Sequence, residues 1–398
     1  MTRTTKQFCQ ITQTFKKKPM ASTVVKTRCP AKVNLTFEIL GLLPDGYHEV
    51  LTLLQTVSLE DELSFRFSER GADEHSKPEK HQDVNPDEQS DEQPLTPPNS
   101  VQTSTISYDS YESEFSAEFP TNDSNLISKA IRKYQEAVPE SQNINVSIDV
   151  VKRIPMGAGL AGGSANAAAA LVAINHFCQN KLTHAQLLEL GATLGADVPF
   201  SLQGGTCIGT HKGDVLKTLS GAAKLFLLLA KPQALSVSTP WAFKQLDALT
   251  DGDSARPGTA GSAKAGTATA IGSATEKCTS ALITTSEVSH SNGSLPPADQ
   301  SKLNAVAKHL KNDLEKVVFE EHEELKAFRQ TMEQHGAIAA RLTGSGPTLY
   351  AIVESREKAQ KLKEDLIKFQ SNKNDSKIFP LDFWITESIS CGARVIEE

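Results

Sequence analysis

Residues 155–166 read Pro155-Met156-Gly157-Ala158-Gly159-Leu160-Ala161-Gly162-Gly163-Ser164-Ala165-Asn166 and put four glycines into one short stretch. Glycine accepts backbone angles that other residues avoid and lets a ligand approach the main chain, so consecutive N–H groups can converge on an anion. A helix starting near Ser164 would aim the positive end of its dipole at the same spot, and phosphate is the natural ligand of such a turn. The stretch has neither the Gly-Lys-Ser/Thr of a Walker loop nor the glycine spacing and distant acid of a dinucleotide fold. Taken alone, it fits either a phosphate cradle or a glycine-rich packing turn.

The flanking sequence supplies the elements such a turn needs. Residues 144–151 alternate Ile and Val with polar residues and read as a strand entering the turn; 164–178 read as a long alanine-rich helix leaving it. Upstream, 33–40 and 51–67 read as strands flanking Pro44-Asp45-Gly46, where Asp-Gly suits a tight reversal. Residues 125–137 set Ile127, Ala130, Ile131 and Tyr134 on one helical stripe. Further helices are predicted over 184–194, 241–249, 302–334 with a break, and 357–369, and further strands over 225–229, 337–342, 348–353 and 383–387. Strands and helices mixed without regular alternation point to an α+β fold.

Composition bounds the partners. The formal net charge of the 398 residues is -7, but 69–118 holds 13 acidic and three basic residues, a net of -10 that leaves about +3 for the rest. A general nucleic-acid surface is therefore not indicated, and no apolar run reaches the length that spans a bilayer. A small-molecule partner is expected. Six scattered cysteines suggest neither a zinc site nor a disulfide framework, which fits a reducing, cytoplasmic setting. Residues 1–23 read as a basic tail, with a plastid transit peptide as the alternative. Two stretches read as disordered inserts: the acidic 69–118 and the Gly-, Ser-, Thr- and Ala-rich 250–298. The foldable remainder suffices for two domains, 24–222 and 223–398.

Three motifs set the glycine-rich stretch in context. Pro30-Ala31-Lys32-Val33-Asn34-Leu35, the stretch itself, and Leu342-Thr343-Gly344-Ser345-Gly346-Pro347 resemble, in order and approximate spacing, the three motifs of the GHMP kinase superfamily. Four more stretches resemble the branch of that superfamily that phosphorylates a cytidine-diphosphate-linked methylerythritol in the non-mevalonate isoprenoid route. They are Pro44-Asp45-Gly46-Tyr47-His48-Glu49, Asn125-Leu126-Ile127, Gly195-Ala196-Asp197-Val198-Pro199-Phe200 and Thr239-Pro240-Trp241-Ala242-Phe243. The resemblance covers most of the chain outside the inserts. It implies an N-terminal domain like ribosomal S5 domain 2 and a ferredoxin-like C-terminal domain.

The resemblance also implies roles. Asp197 matches the aspartate that orients the substrate hydroxyl and accepts its proton, and Pro199 is expected to bias Val198 toward an extended backbone. Lys32 matches the lysine beside that aspartate, where a cation would stabilise the developing alkoxide. Asn34 would hydrogen-bond the methylerythritol hydroxyls, His48 would read the cytosine edge, and Tyr47 and Phe243 would supply two aromatic faces for the base. Pro155, Met156, Gly157, Ala158, Gly159, Leu160, Ala161, Gly162, Gly163 and Ser164 would cradle the phosphates of ATP, with Asn125 and Leu126 bordering the adenine. Mg²⁺ is expected with ATP, although no carboxylate pair marks its ligands; Ser164 is a possible contributor. The family's Gly-Glu after the catalytic aspartate stands here as Gly213-Asp214, one methylene shorter.

Overall fold

The computed structural model describes residues 23–69, 104–113, 119–251, 273–283, 298–372 and 380–396. The predicted basic tail therefore lies almost wholly outside the described residues.

The described residues open with a long antiparallel hairpin of β1 (Thr23–Leu42) and β2 (His48–Glu69). Its turn closes where the Leu43 N–H donates to Tyr47 O at 2.7 Å, and Gly46 supplies the positive φ of +84° that the reversal requires. Next come β3 (Ile106–Ser113), α1 (Leu126–Ala137), β4 (Ile144–Lys152), α2 (Gly162–Phe177), α3 (His184–Ala192), α4 (Asp197–Gln203), β5 (Thr206–Thr210) and β6 (Val215–Leu219). The second half contains β7 (Phe226–Pro232), α5 (Thr239–Asp251), α6 (Ala274–Leu282), α7 (Gln300–Ala307), β8 (Lys311–Asn312), α8 (Glu315–Glu321) and α9 (Glu323–Gln334). It ends with β9 (Ala339–Leu342), β10 (Leu349–Val353), α10 (Arg356–Asn372), β11 (Leu381–Glu387) and β12 (Arg394–Val395).

Among the described residues the strands form two sheets. The first runs β12-β1-β2-β4-β3, with β5 also paired to β2, β6 to β5 and β8 to β1. The alanines of α2 let it bury nearly every face: Ala165, Ala167, Ala168, Ala169, Ala170 and Ala173 are all sealed from solvent. The second sheet runs β11-β7-β10-β9, antiparallel throughout. This is the strand order of a ferredoxin-like split βαβ, with α8 and α9 before β9 and α10 before β11. Strand alternation joins the two halves: Leu227 and Leu229 of β7 pack into the core of the first sheet, while Leu228 and Ala230 face the core under the C-terminal helices.

Parts of both predicted inserts are folded, which corrects their extent. Residues 106–113 form β3, pairing parallel with β4. The acidic count of the segment hid Tyr108 and Tyr111, whose rings lie 5.7 and 4.6 Å from that of Phe119. Residues 274–282 form α6, capped by Ser273, whose Oγ accepts from the Glu276 N–H, and anchored by Cys278 and Leu282 in the first core. Most of the remainder of both stretches lies outside the described residues. The predicted helix over 302–334 is divided into α7, α8 and α9, with β8 between the first two.

Candidate active site

The site is built where five connections meet. A cavity of about 1020 Å³ opens between the β1–β2 hairpin, the glycine-rich loop after β4, the start of α4, the β5–β6 turn and α5, with Gly344 and Ser345 closing one side.

Lys32 and Asn34 stand two apart on β1 and so share a face. Register shifts in the β1–β2 ladder flank them, after Pro30 and after Asn34, and such irregularities re-aim side chains. Lys32 is 6 % exposed, and its ammonium donates to Asn34 Oδ1 at 2.7 Å and stands 3.7 Å from Asp197 Oδ1. Asn34 in turn donates from Nδ2 to Thr52 Oγ1 at 2.9 Å, and its backbone N–H reaches Thr343 Oγ1 at 3.1 Å. The first and third motifs are thereby bonded to each other directly.

Asp197 is the first residue of α4, where a carboxylate complements the helix dipole, and its half-exposed side chain faces the cavity. Val198 is not extended as expected but lies in the first turn of α4. Pro199 is tolerated there because the first N–H groups of a helix have no intrahelical partner to lose.

The glycine-rich loop coils through successive left-handed positions, with φ of +61° at Gly157, +74° at Gly159 and +58° at Ala161. A β-carbon at Gly159 would lie 2.5 Å from the carbonyl oxygen of Thr343, so the loop and the third motif touch backbone to backbone. Helix α2 starts at Gly162 with no side-chain cap, leaving its first N–H groups directed at the loop. This donor set fits a phosphate chain. Among the described residues no group of three or more His, Cys, Asp or Glu gathers to hold a metal.

The opposite end of the cavity is aromatic. His48 and Phe243 stack with centroids 4.4 Å apart at 22°, and His48 Nε2 lies 2.8 Å from Asp247 Oδ1. Tyr47 is exposed and carries the Lys212 ammonium 3.9 Å from its ring centre. Lys212 also binds Asp45 at 2.6 Å, a hydrogen bond that holds the Asp45 carboxyl below its ordinary range and Lys212 above its own.

The cavity thus gathers Lys32, Asn34, Tyr47, His48, Phe243 and Asp197, together with Pro155, Met156, Gly157, Ala158, Gly159, Ala161, Gly162 and Gly163. Four expected residues are not in its lining. Leu160 is buried in the core, with its carbonyl accepting from the Lys32 N–H at 3.2 Å. Ser164 lies inside the first turn of α2. Asn125 caps α1, accepting from the Ile127 N–H at 2.9 Å, and Leu126 lies next to Gly163. Asp247 and Lys212 were missed. Asp247 carried a legible signal, since it follows Phe243 by four residues and so shares its helical face.

A glycine-rich loop facing a Lys–Asp couple, on an α+β frame of two sheets, suits a small-molecule kinase, and family models agree. The GHMP kinases N terminal domain matches residues 125–205 and the GHMP kinases C terminal domain matches 296–372. The 4-diphosphocytidyl-2-C-methyl-D-erythritol kinase of Gloeothece citriformis is 32% identical over 372 residues, covering 92% of this chain and 96% of the relative. That of Trichodesmium erythraeum is 31% identical, covering 92% and 97%. The chain belongs to the 4-diphosphocytidyl-2-C-methyl-D-erythritol kinase family of the GHMP kinases. A crystal structure of 4-(cytidine 5'-diphospho)-2C-methyl-D-erythritol kinase superposes with a TM-score of 0.56 at 25% identity, over 91% of this chain and 99% of that one. A homoserine kinase from Cytophaga hutchinsonii, 18% identical with a TM-score of 0.60 over 98% of this chain and 100% of its own, shares the fold.

Proposed function

We propose that the enzyme transfers the γ-phosphoryl group of ATP to the C2 hydroxyl of 4-diphosphocytidyl-2-C-methyl-D-erythritol, giving the 2-phosphate and ADP. The observation that carries this reading is the 3.7 Å approach of Lys32 to Asp197 in the same cavity as the glycine-rich loop.

Phosphoryl transfer asks little covalent chemistry of a protein and much positioning. The N–H groups of Gly157–Gly163 and the head of α2 hold the phosphate chain; Asp197 orients the C2 hydroxyl and takes its proton as the new O–P bond forms and the bond to the ADP oxygen breaks. Lys32, fixed by Asn34, stabilises negative charge on the attacking oxygen. Asn34 lies within reach of the methylerythritol hydroxyls. The cytosine rests at the Tyr47, His48 and Phe243 end, where an aromatic stacking partner contributes about 1–3 kcal/mol. Mg²⁺ would accompany ATP and supply positive charge to its phosphate oxygens, and the Ser164 hydroxyl, in the first turn of α2, would help to hold it.

A coupled assay for ADP release tests the reading. Turnover is expected with the cytidyl substrate, ATP and Mg²⁺ together, and none when any one is left out. Phosphorylation of mevalonate or homoserine in place of the cytidyl substrate would overturn it.

A further inference from the structure

Helix α5 grips the imidazole of His48 in two places one turn apart. Phe243 covers its face at 4.4 Å and Asp247 meets its edge, Oδ1 to Nε2, at 2.8 Å. The ring itself is nearly buried, its side chain 12% exposed. The same helix is tied to the third motif, since Thr239 Oγ1 lies 2.8 Å from Ser345 Oγ. The plane and the edge of this histidine are therefore both set by one rigid element.

A carboxylate has only acceptors, so the proton in the Asp247 hydrogen bond belongs to His48 Nε2. In a neutral imidazole the other nitrogen is then an acceptor. We propose that Asp247 is a positioning residue for base selection: it fixes His48 as the Nε2–H tautomer, whose Nδ1 accepts from the 4-amino group of cytosine. This inference rests on the proposed function. Uracil presents a carbonyl oxygen where cytosine has its amino group. Two acceptors would then face each other at a largely buried imidazole, which costs a hydrogen bond and leaves both unpaired. The site thereby favours a cytidine over a uridine diphosphate ester.

Asp247→Asn tests this, because an amide both donates and accepts and no longer dictates which imidazole nitrogen carries the proton. The ratio of kcat/KM for the cytidyl ester to that for the uridyl ester is expected to fall by about tenfold or more, through both a loss on the first and a gain on the second. An Asp247→Asn enzyme that keeps the wild-type ratio, even with both values lowered, overturns the role of Asp247. A wild-type enzyme that turns over neither ester overturns the proposed function instead. Independently of turnover, ¹⁵N–¹H correlation spectra of histidine-labelled wild-type protein, recorded on the neutral ring, are expected to show the His48 proton on Nε2 alone. A neutral ring with its proton on Nδ1 overturns the inference even if the variant does not fold.

Discussion

Asp61 and Lys152 form an ion pair sealed from water directly beneath the glycine-rich loop, their side chains 0% and 2% exposed. The pair ties three elements together. Asp61 comes from β2, Lys152 ends β4, and Asp61 Oδ2 also accepts from Asn166 Nδ2 of α2 at 2.8 Å. Its Oδ1 takes the N–H groups of Arg153 and Ile154, each at 2.8 Å, which fixes the chain as it leaves the strand. A β-carbon at Gly162 would lie 2.8 Å from the Lys152 ammonium, so the first turn of α2 sits on the charge itself.

Removing one member of such a pair leaves a buried charge uncompensated, at a cost of about 3–5 kcal/mol. Asp61→Ala is expected to lose that much stability in urea unfolding followed by circular dichroism. Lys152→Met is expected to lose less, because three N–H donors still satisfy Asp61. Equal losses in the two variants would show that the hydrogen bonds to Asp61 contribute nothing.

Asp197→Asn keeps the size of the side chain while removing the proposed base. A loss of about 10²–10⁴-fold in kcat is expected, with ATP affinity measured by calorimetry close to that of the wild type, because Asp197 lies on α4 rather than in the loop. Turnover at the wild-type rate would remove Asp197 from the mechanism. Lys32→Met should also lower kcat, and it should release Asn34, whose amide oxygen it now holds at 2.7 Å.

The frame of the site was legible where local pattern and chemistry coincide. The Ile and Val alternation of β4, the glycines after it and the alanines of α2 each specify their own local structure, and the first and third motifs marked Lys32 and Asn34 at one end and Gly344 and Ser345 at the other. Contacts between distant segments were not legible. The spacing of Asp247 from Phe243 was readable on one helix, but nothing near His48 in sequence announces its bond to Asp247, and nothing near Asp61 announces Lys152. Composition also misled: the acids around Ile106, Tyr108 and Tyr111 concealed β3, although its side chains pack against the first core. The expectation for Val198 failed because the steric bias before a proline is local, and here the burial of Val198 in the first turn of α4 outweighs it.

The loop itself separates two kinds of left-handed residue. Gly159 has φ of +74° with the Thr343 carbonyl in the place of a side chain, so Gly159→Ala is expected to weaken ATP binding and cost about 1–3 kcal/mol through backbone strain alone. Ala161 already holds φ of +58° with a β-carbon present. A non-glycine residue there carries about 1–2 kcal/mol of strain, and glycine gives back about 0.4–1 kcal/mol through the unfolded chain. Ala161→Gly is therefore expected to be neutral to slightly stabilising in thermal unfolding, whereas Gly159→Ala lowers the midpoint. Destabilisation by both would mean that the left-handed turn at Ala161 is under no strain.

Glu38 links the hairpin to α6, and it does so through charge. The residue is 7% exposed, and its carboxyl accepts from the Thr275 N–H at 2.8 Å and the Ala274 N–H at 3.3 Å, with Lys311 at 3.5 Å. Burial alone would raise this carboxyl, but the Thr275 and Ala274 hydrogen bonds and the Lys311 charge outweigh it and hold Glu38 below the usual carboxylate range. A group that titrates lower when folded adds stability above its unfolded value, about 4.3, and that stability is lost as pH falls through the folded value. Glu38→Gln keeps one acceptor oxygen and loses the charge, so it is expected to be less stable than the wild type by about 1–2 kcal/mol at neutral pH. The difference should shrink toward zero as the pH falls below the folded value of Glu38, because the wild-type carboxyl is then neutral as well. Urea midpoints of both proteins across the acid range measure this directly, and a difference that stays constant with pH would mean that packing of the side chain, not its charge, holds the start of α6.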